Sequence, residues 1–584
     1  MLCYGSIFGL KLDQNPLWVG PNTKLMDRRD FLLLKRKQQP VSVPDFGVRG
    51  VNAGLNPYAG PWTQKEVAHL LKRTMFGAAK ADIEHFRGMT VSQAVDALLT
   101  IPAALPSPPV KTYDNTGVPT TDPDYAIPTG APWVDVFSSD GTVNSRRRAS
   151  LKAWWTGLML NQDRSIQQKM VLFWHNHFST EMDVVDRATF AYRHIKLLHQ
   201  HTLGNFKTFV RAITLDLCML RYLNGYLNTA AAPDENYGRE LQELFTLGKE
   251  NVPNYTEDDV KAAARVLTGW TINFTNDSSA FNINRHDKTN KQFSSFFNNT
   301  IVTGRADASA GDVELDDLLN MIFAKNIQVS EYIVRKIYRW FCYYTIDSVT
   351  ETNVIKPLAQ IFRDNNWEVK PVLETLLKSE HFFDPLNQGC LIKSPVENLV
   401  GCCREFGVVF PTIATDVVNT YNLWNVIRSR ATTMQQNIGD PPSVAGWPAY
   451  YQAPQFYEVW INSDTLPKRN LFTDQMIGNG YTQNGVKIVI DAVAFTKTLS
   501  NPGDPNILIN EALDIMYRVP ISDASKLVIK KQILLSNQDQ DFYWTNAWNA
   551  HIANPSDTAA FNIVNTRLKA LYKYFMNLAE YQLA

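Results

Sequence analysis

From Thr63 onward, apolar residues recur at spacings of three and four, in runs bounded by helix caps, and seldom alternate one by one. That pattern admits helices packed on helices and leaves little from which to build a sheet. Thr63-Gln64-Lys65-Glu66 is a capping box, and Val67, Leu70 and Leu71 follow at helical spacing before Phe76-Gly77 ends the run. Thr90 to Leu99 repeats the scheme. Between Arg146 and Phe178 the helical pattern breaks at Asn161-Gln162-Asp163, where Asp163 or Ser165 can cap the second part. Further helices are expected over 186–201, 206–216, 235–247, 257–268, 312–324, 329–345, 351–364, 369–378 and 393–405. The expected fold class is all-α, a single large multi-helix domain over 63–584 with long irregular loops. Residues 1–62 form an N-terminal extension whose part from 38 is an extended strap rich in Pro, Gly and Val. Residues 101–135 are expected to be a Pro-rich loop with few core residues, 272–305 to hold one short hairpin, and 437–470 to be loop-rich and aromatic.

Composition narrows the function classes. Lys plus Arg equals Asp plus Glu, at 57 each, so no electrostatic footprint for nucleic acid or an anionic membrane is expected. No stretch approaches the run of about 18 apolar residues that a membrane-spanning helix needs. The six cysteines include no CxxC pair, so neither a disulfide framework nor a thiolate metal site is expected, and the absence of CxxCH disfavours haem attachment. No GxxxxGK[ST], GxGxxG or GxSxG motif occurs. Met26-Asp27-Arg28-Arg29-Asp30-Phe31-Leu32-Leu33 looks like a twin-arginine export core, but Lys35-Arg36-Lys37 interrupts the apolar stretch that should follow. Localisation is therefore left between the periplasm or cell envelope and the cytoplasm, and Met26 is an alternative start.

The densest chemistry lies in Asp234 to Gly248. Asn236, Arg239, Glu240 and Glu243 share one helix face, with Leu241, Leu244 and Phe245 on the other. Such a strip is either a solvated face laced with i,i+4 pairs or a polar interior; the neighbouring apolar residues favour an interior strip packed beside the Trp174–Phe178 helix end. In Trp174-His175-Asn176-His177-Phe178 the two imidazoles point about 200° apart on an ideal helix. They are either a hydrogen-bonded pair at a helix end or ligands and proton carriers. His286-Asp287 follows in an irregular stretch and is otherwise a turn pair. His175, His177, Glu240, Glu243, His286 and Asp287 are the candidate metal ligands, of the types a carboxylate–histidine site for a divalent cation uses. Glu240, Glu243, Arg239 and His177 are the candidate catalytic groups. Lys393-Ser394-Pro395-Val396-Glu397 reads as a helix start, and Asp440-Pro441-Pro442-Ser443-Val444-Ala445-Gly446-Trp447-Pro448 as a stiff turn whose Trp lines a cleft or plugs the core.

These motifs together resemble the bacterial family called domain of unknown function 1800. The resemblance runs from about residue 63 to Ala579-Glu580-Tyr581-Gln582. It is carried by Ala68 to Gly77, Phe173 to Phe178, Glu235 to Gly248, Tyr255 to Val260, Leu267 to Trp270, His286-Asp287 and Pro441 to Pro448. It implies a largely helical single domain with no established activity, an export signal, and an exported alkaline-phosphatase-like partner; the interrupted signal is where this chain departs from it.

Two functions follow as expectations. One is a binding or assembly protein of the cell envelope, in which a buried His/Glu/Arg network fixes helix register. The other is a metal-dependent hydrolase or oxidoreductase, with His175 and His177 as ligands or proton carriers. There Glu240 and Glu243 are ligands or base, Arg239 an anion clamp, and His286-Asp287 the closing pair.

Overall fold

Each helix start that the sequence marks with a capping box carries one in three dimensions. In the computed structural model, which describes Val51 and residues 53–249 and 254–584, Thr63 caps the helix Gln64–Thr74, with Glu66 reaching back to the Thr63 amide. Thr90 caps Val91–Leu98 through Gln93, and Thr256 caps Glu257–Val266 through Asp259. Ser394 caps Pro395–Glu405, with Pro395 in the first turn, where its missing N–H is harmless. The twin-arginine-like segment and most of the N-terminal extension lie outside the described residues.

The long pattern around residue 160 resolves into two helices, Gly141–Leu160 and Gln167–His177. Ser165 Oγ accepts from the Gln167 amide at 3.2 Å, satisfying one donor of the second helix start. The helix Ile413–Thr433 lies along Gly141–Leu160, and the C-terminal helix Thr558–Asn577 packs on Thr465–Gly478. One continuous core runs from Val67 to Tyr581, and Val51–Ala584 forms one unit. The architecture is predominantly helical, as the periodicity requires.

Three expectations need correction. The segment 272–305 takes part in two hairpins, not one: Trp270–Asn273 pairs antiparallel with Ser278–Phe281, and Lys291–Gln292 with Ile301–Val302. A third hairpin joins Tyr481–Gln483 to Val486–Ile488 through Asn484-Gly485, both at positive φ, the turn chemistry that an Asn-Gly pair favours. The loop 101–135 is irregular apart from the short turn Pro123–Ala126, but it is not peripheral, because Asp124, Ile127, Trp133 and Val134 are buried.

That loop is fastened by charge. Asp124 is fully buried and accepts from Arg147 Nε at 2.9 Å and Nη2 at 2.7 Å. Lys111 Nζ lies 3.2 Å from its other oxygen, and the Tyr113 hydroxyl donates to it at 3.1 Å. A buried carboxylate must be paired, and here two cations and a phenol do it.

Candidate functional site

The helix carrying the polar strip is α-helical over Glu235–Glu240 and widens to a π-helix over Leu241–Thr246. Its faces divide as the sequence predicts. Leu241 and Phe245 are buried, while Asn236 is exposed and Arg239, Glu240 and Glu243 are half-buried, as is Leu244, expected on the apolar side. Gly238 lets this helix approach Glu257–Val266, since a Cβ there would come within 3.1 Å of the Ala264 nitrogen.

The helix does meet the Trp174–Phe178 end, through Phe245 against Phe178 with ring centroids 5.3 Å apart. The strip, however, faces outward, which corrects the expected inward orientation. Arg239 pairs with Glu257 at 2.7 Å and Glu235 at 3.1 Å, and its side chain is 31% exposed. The Glu257 bond comes first among the effects that raise the guanidinium's pKa. Glu243 pairs with Lys249 at 2.6 Å. Burial, and then the neighbouring Glu243, push the Glu240 carboxyl upward. Because these pairs are exposed to screening, Arg239→Ala is expected to cost no more than about 1 kcal/mol; a urea midpoint matching that of wild type is the result that checks it.

The two imidazoles of the Trp174–Phe178 segment diverge as helix geometry demands. His177 is buried and fully engaged. Its Nε2 donates to Phe245 O at 3.2 Å, and its Nδ1 accepts from Lys336 Nζ at 3.3 Å. Burial first, and then Lys336, hold its pKa well below the usual histidine range. His175 is also fully buried but has no hydrogen-bond partner for either nitrogen among the described residues. It lies between Trp155, at 5.1 Å between centroids, and Trp447 and His194, each at 6.0 Å. Burial, then His194 and Lys152, depress its pKa.

His286 and Asp287 belong to a third network. His286 Nδ1 donates to Thr268 O at 2.8 Å, and its Nε2 lies 3.1 Å from Glu314 Oε1, outside hydrogen-bond alignment. Lys291 donates to Glu314 Oε2 at 2.5 Å. Asp287 pairs with Arg265 at 2.7 Å. Burial would raise its carboxyl, but the bonds from Arg265 and Thr289 prevail and bring it down to about 2. The six predicted ligands thus fall into separate networks: among the described residues the one gathering of three ligand-type side chains is His194, Asp216 and Cys218.

That gathering is assembled from motifs the sequence shows and residues it does not. The turn before Trp447 seats on the Trp174–Phe178 segment. Asn176 Oδ1 accepts from the Trp447 amide at 2.9 Å, and Ser179 Oγ donates to Ser443 O at 2.9 Å. Gly446 has φ +92°, and a Cβ there would come within 2.3 Å of Asn176 Oδ1, so only glycine fits. Trp447 is buried and plugs the core. Asp440 pairs with Lys152 and accepts from the Asp183 amide at 3.0 Å. Beneath them His194 Nδ1 donates to Asp216 Oδ2 at 2.9 Å, and that oxygen also caps the helix Leu217–Tyr222 through the Met219 amide. Cys218 donates to Thr180 Oγ1 at 3.5 Å. Burial, reinforced by Asp216, pushes the Cys218 thiol well up. An H-x21-D-x-C spacing is no recognised signature, so sequence reasoning had nothing to seize on here.

The opposite side of the Gly141–Leu160 helix bounds a cleft of about 840 Å³. Trp154, Leu158, Leu105, Val408, Phe410 and Trp424 contribute its mostly apolar wall. Trp154 Nε1 donates to Ser107 O at 2.8 Å, fastening the 102–107 segment along one rim. Gln162 and Arg404 are among the cleft's polar groups, which also include Asn161, Asp163 and Gln168. Neither side-chain atom of Gln162 has a partner among the described residues, and Arg404 pairs with Asp82 at 2.9 Å while its Nε stays unpaired.

No curated protein matches this chain, and no solved structure matches it. A family model described as "Protein of unknown function (DUF1800)" matches residues 69–583, and with that span covering most of its length the chain belongs to this family.

Proposed function

We propose that this is a binding protein whose ligand occupies the cleft between the Gly141–Leu160 helix and residues 403–413. The observation that carries this reading is the cleft itself. Its volume of about 840 Å³ falls within the range of small-molecule sites, roughly 300–1,000 Å³. Its walls are mainly apolar, with a few polar groups able to fix orientation. The matching ligand is an apolar or aromatic molecule bearing one or two acceptor groups for Gln162 and Arg404.

The buried ion pairs support the same reading from the side of architecture. Asp124 with Arg147, Glu314 with Lys291, and Glu405 with Lys72 join segments far apart in the chain. The first anchors the Gly141–Leu160 helix and the third the helix that runs into residues 403–413, the two sides of the cleft. Placement in the cell envelope and an alkaline-phosphatase-like partner follow from the family resemblance alone. Among the described residues no helix is long and apolar enough to cross a membrane.

A fluorescence titration with 1-anilinonaphthalene-8-sulfonate tests the proposal. Wild-type protein is expected to bind it saturably, with about one site per chain. Leu158→Arg places a charge on the apolar wall and is expected to weaken binding at least about tenfold, or about 1.4 kcal/mol. Equal affinity in the folded variant contradicts the assignment.

A further inference from the structure

We infer that His194, Asp216 and Cys218, with His175 as the fourth group, form a site for a borderline-soft divalent cation of the zinc type. This goes beyond the binding reading, because it concerns the other side of the Gly141–Leu160 helix and does not depend on the cleft. One ligand atom from each of the three residues lies within 4.8 Å of the others. All three side chains are buried, His194 and Cys218 completely.

The donor set selects the metal. An imidazole, a carboxylate and a thiol together suit zinc and its neighbours; calcium and magnesium prefer oxygen alone. Four groups of this kind match the closed tetrahedral arrangement of a structural zinc site.

A second, independent observation points to an absent partner. His194 Nε2 and both nitrogens of His175 are buried without hydrogen-bond partners among the described residues. The two rings stand 6.0 Å apart, at 70° to each other. A buried polar atom left unpaired is costly. A cation takes one nitrogen of an imidazole, and so would account for one of the two on His175. The His194–Asp216 hydrogen bond would give way to coordination, and the Cys218 thiol proton would leave to solvent as the metal enters.

The competing reading is that Asp216 serves only as a helix cap, His194 only as its neighbour, and Cys218 only as a small apolar filler. It accounts for the Asp216 bonds but not for His175.

The test uses the full chain. Zinc or cobalt(II) is added to metal-free protein, excess is removed, and metal per chain is measured. One equivalent is expected, with a cobalt–thiolate charge-transfer band. Cys218→Ser should abolish the band and weaken binding by more than about tenfold, whereas His177→Gln, whose ring belongs to another network, should leave both unchanged. X-ray absorption at the zinc edge on wild type is expected to count one sulfur ligand, a readout that holds even if the Cys218 variant does not fold. Substoichiometric metal, a band that survives Cys218→Ser, or a zinc shell without sulfur overturns the assignment.

Discussion

Asp124→Ala is expected to destabilise the protein by about 3–5 kcal/mol, the usual cost of leaving a buried charge without its partner. The carboxylate is fully buried, and its removal strands Arg147, whose side chain is also fully buried, together with Lys111 at 1% exposure. The loop 101–135 would lose its anchor at the same time, since the Tyr113 hydroxyl donates to this carboxylate as well. Urea denaturation of the variant and of wild type checks this, through a large fall in midpoint. The mechanism predicts more than the direction. Adding Arg147→Met to the variant removes one stranded charge and should recover part of the loss. A double variant less stable than Asp124→Ala alone would contradict it.

Glu314→Ala carries the second large expected effect, again about 3–5 kcal/mol. Glu314 is fully buried on the helix Ala310–Phe323 and pairs with buried Lys291. It also accepts from the Arg305 amide at 2.7 Å and faces His286. Burial would raise its carboxyl, but the neighbouring His286 and the bond and charge of Lys291 win and hold it low. The loss should therefore be local as well as global: proteolysis within 285–305 should accelerate more than elsewhere. A midpoint shift as small as that expected for Arg239→Ala would show that water reaches Lys291 and that the pair is not a structural joint.

The contrast between these residues and the Glu-rich strip marks where sequence reasoning reaches its limit. Periodicity says which residues share a face, and it separated Asn236, Arg239, Glu240 and Glu243 from Leu241 and Phe245 correctly. It does not say which face meets the core. The spacing of Glu235 and Arg239, an i,i+4 pair, was the hint of a solvated face, and that pair forms. Helix starts were legible because a cap is a local device: Thr63, Thr256 and Ser394 each bond within three residues. The third hairpin was legible in principle from Asn484-Gly485.

Buried charge pairs are another matter. Asp124 finds Arg147 across 23 positions, and Glu405 finds Lys72 across 333, so nothing in the neighbourhood of either residue announces the partner. The same holds for the candidate sites. The cleft joins residues near 105, 158 and 408, and the gathering of His194, Asp216 and Cys218 lies on two helices with no motif. Of the predicted ligands, His175 alone adjoins that gathering. His177, two residues along, has both nitrogens occupied by Phe245 and Lys336 and reads as a structural histidine.

The central claim is that this protein binds an apolar ligand in the cleft beside Trp154 and Trp424. Amide hydrogen exchange on the full chain, with and without saturating 1-anilinonaphthalene-8-sulfonate, tests it most directly. The account predicts slowed exchange concentrated in residues 154–162 and 403–413, with no slowing there in Leu158→Arg. Protection confined to other segments, or spread evenly over the chain, would contradict it.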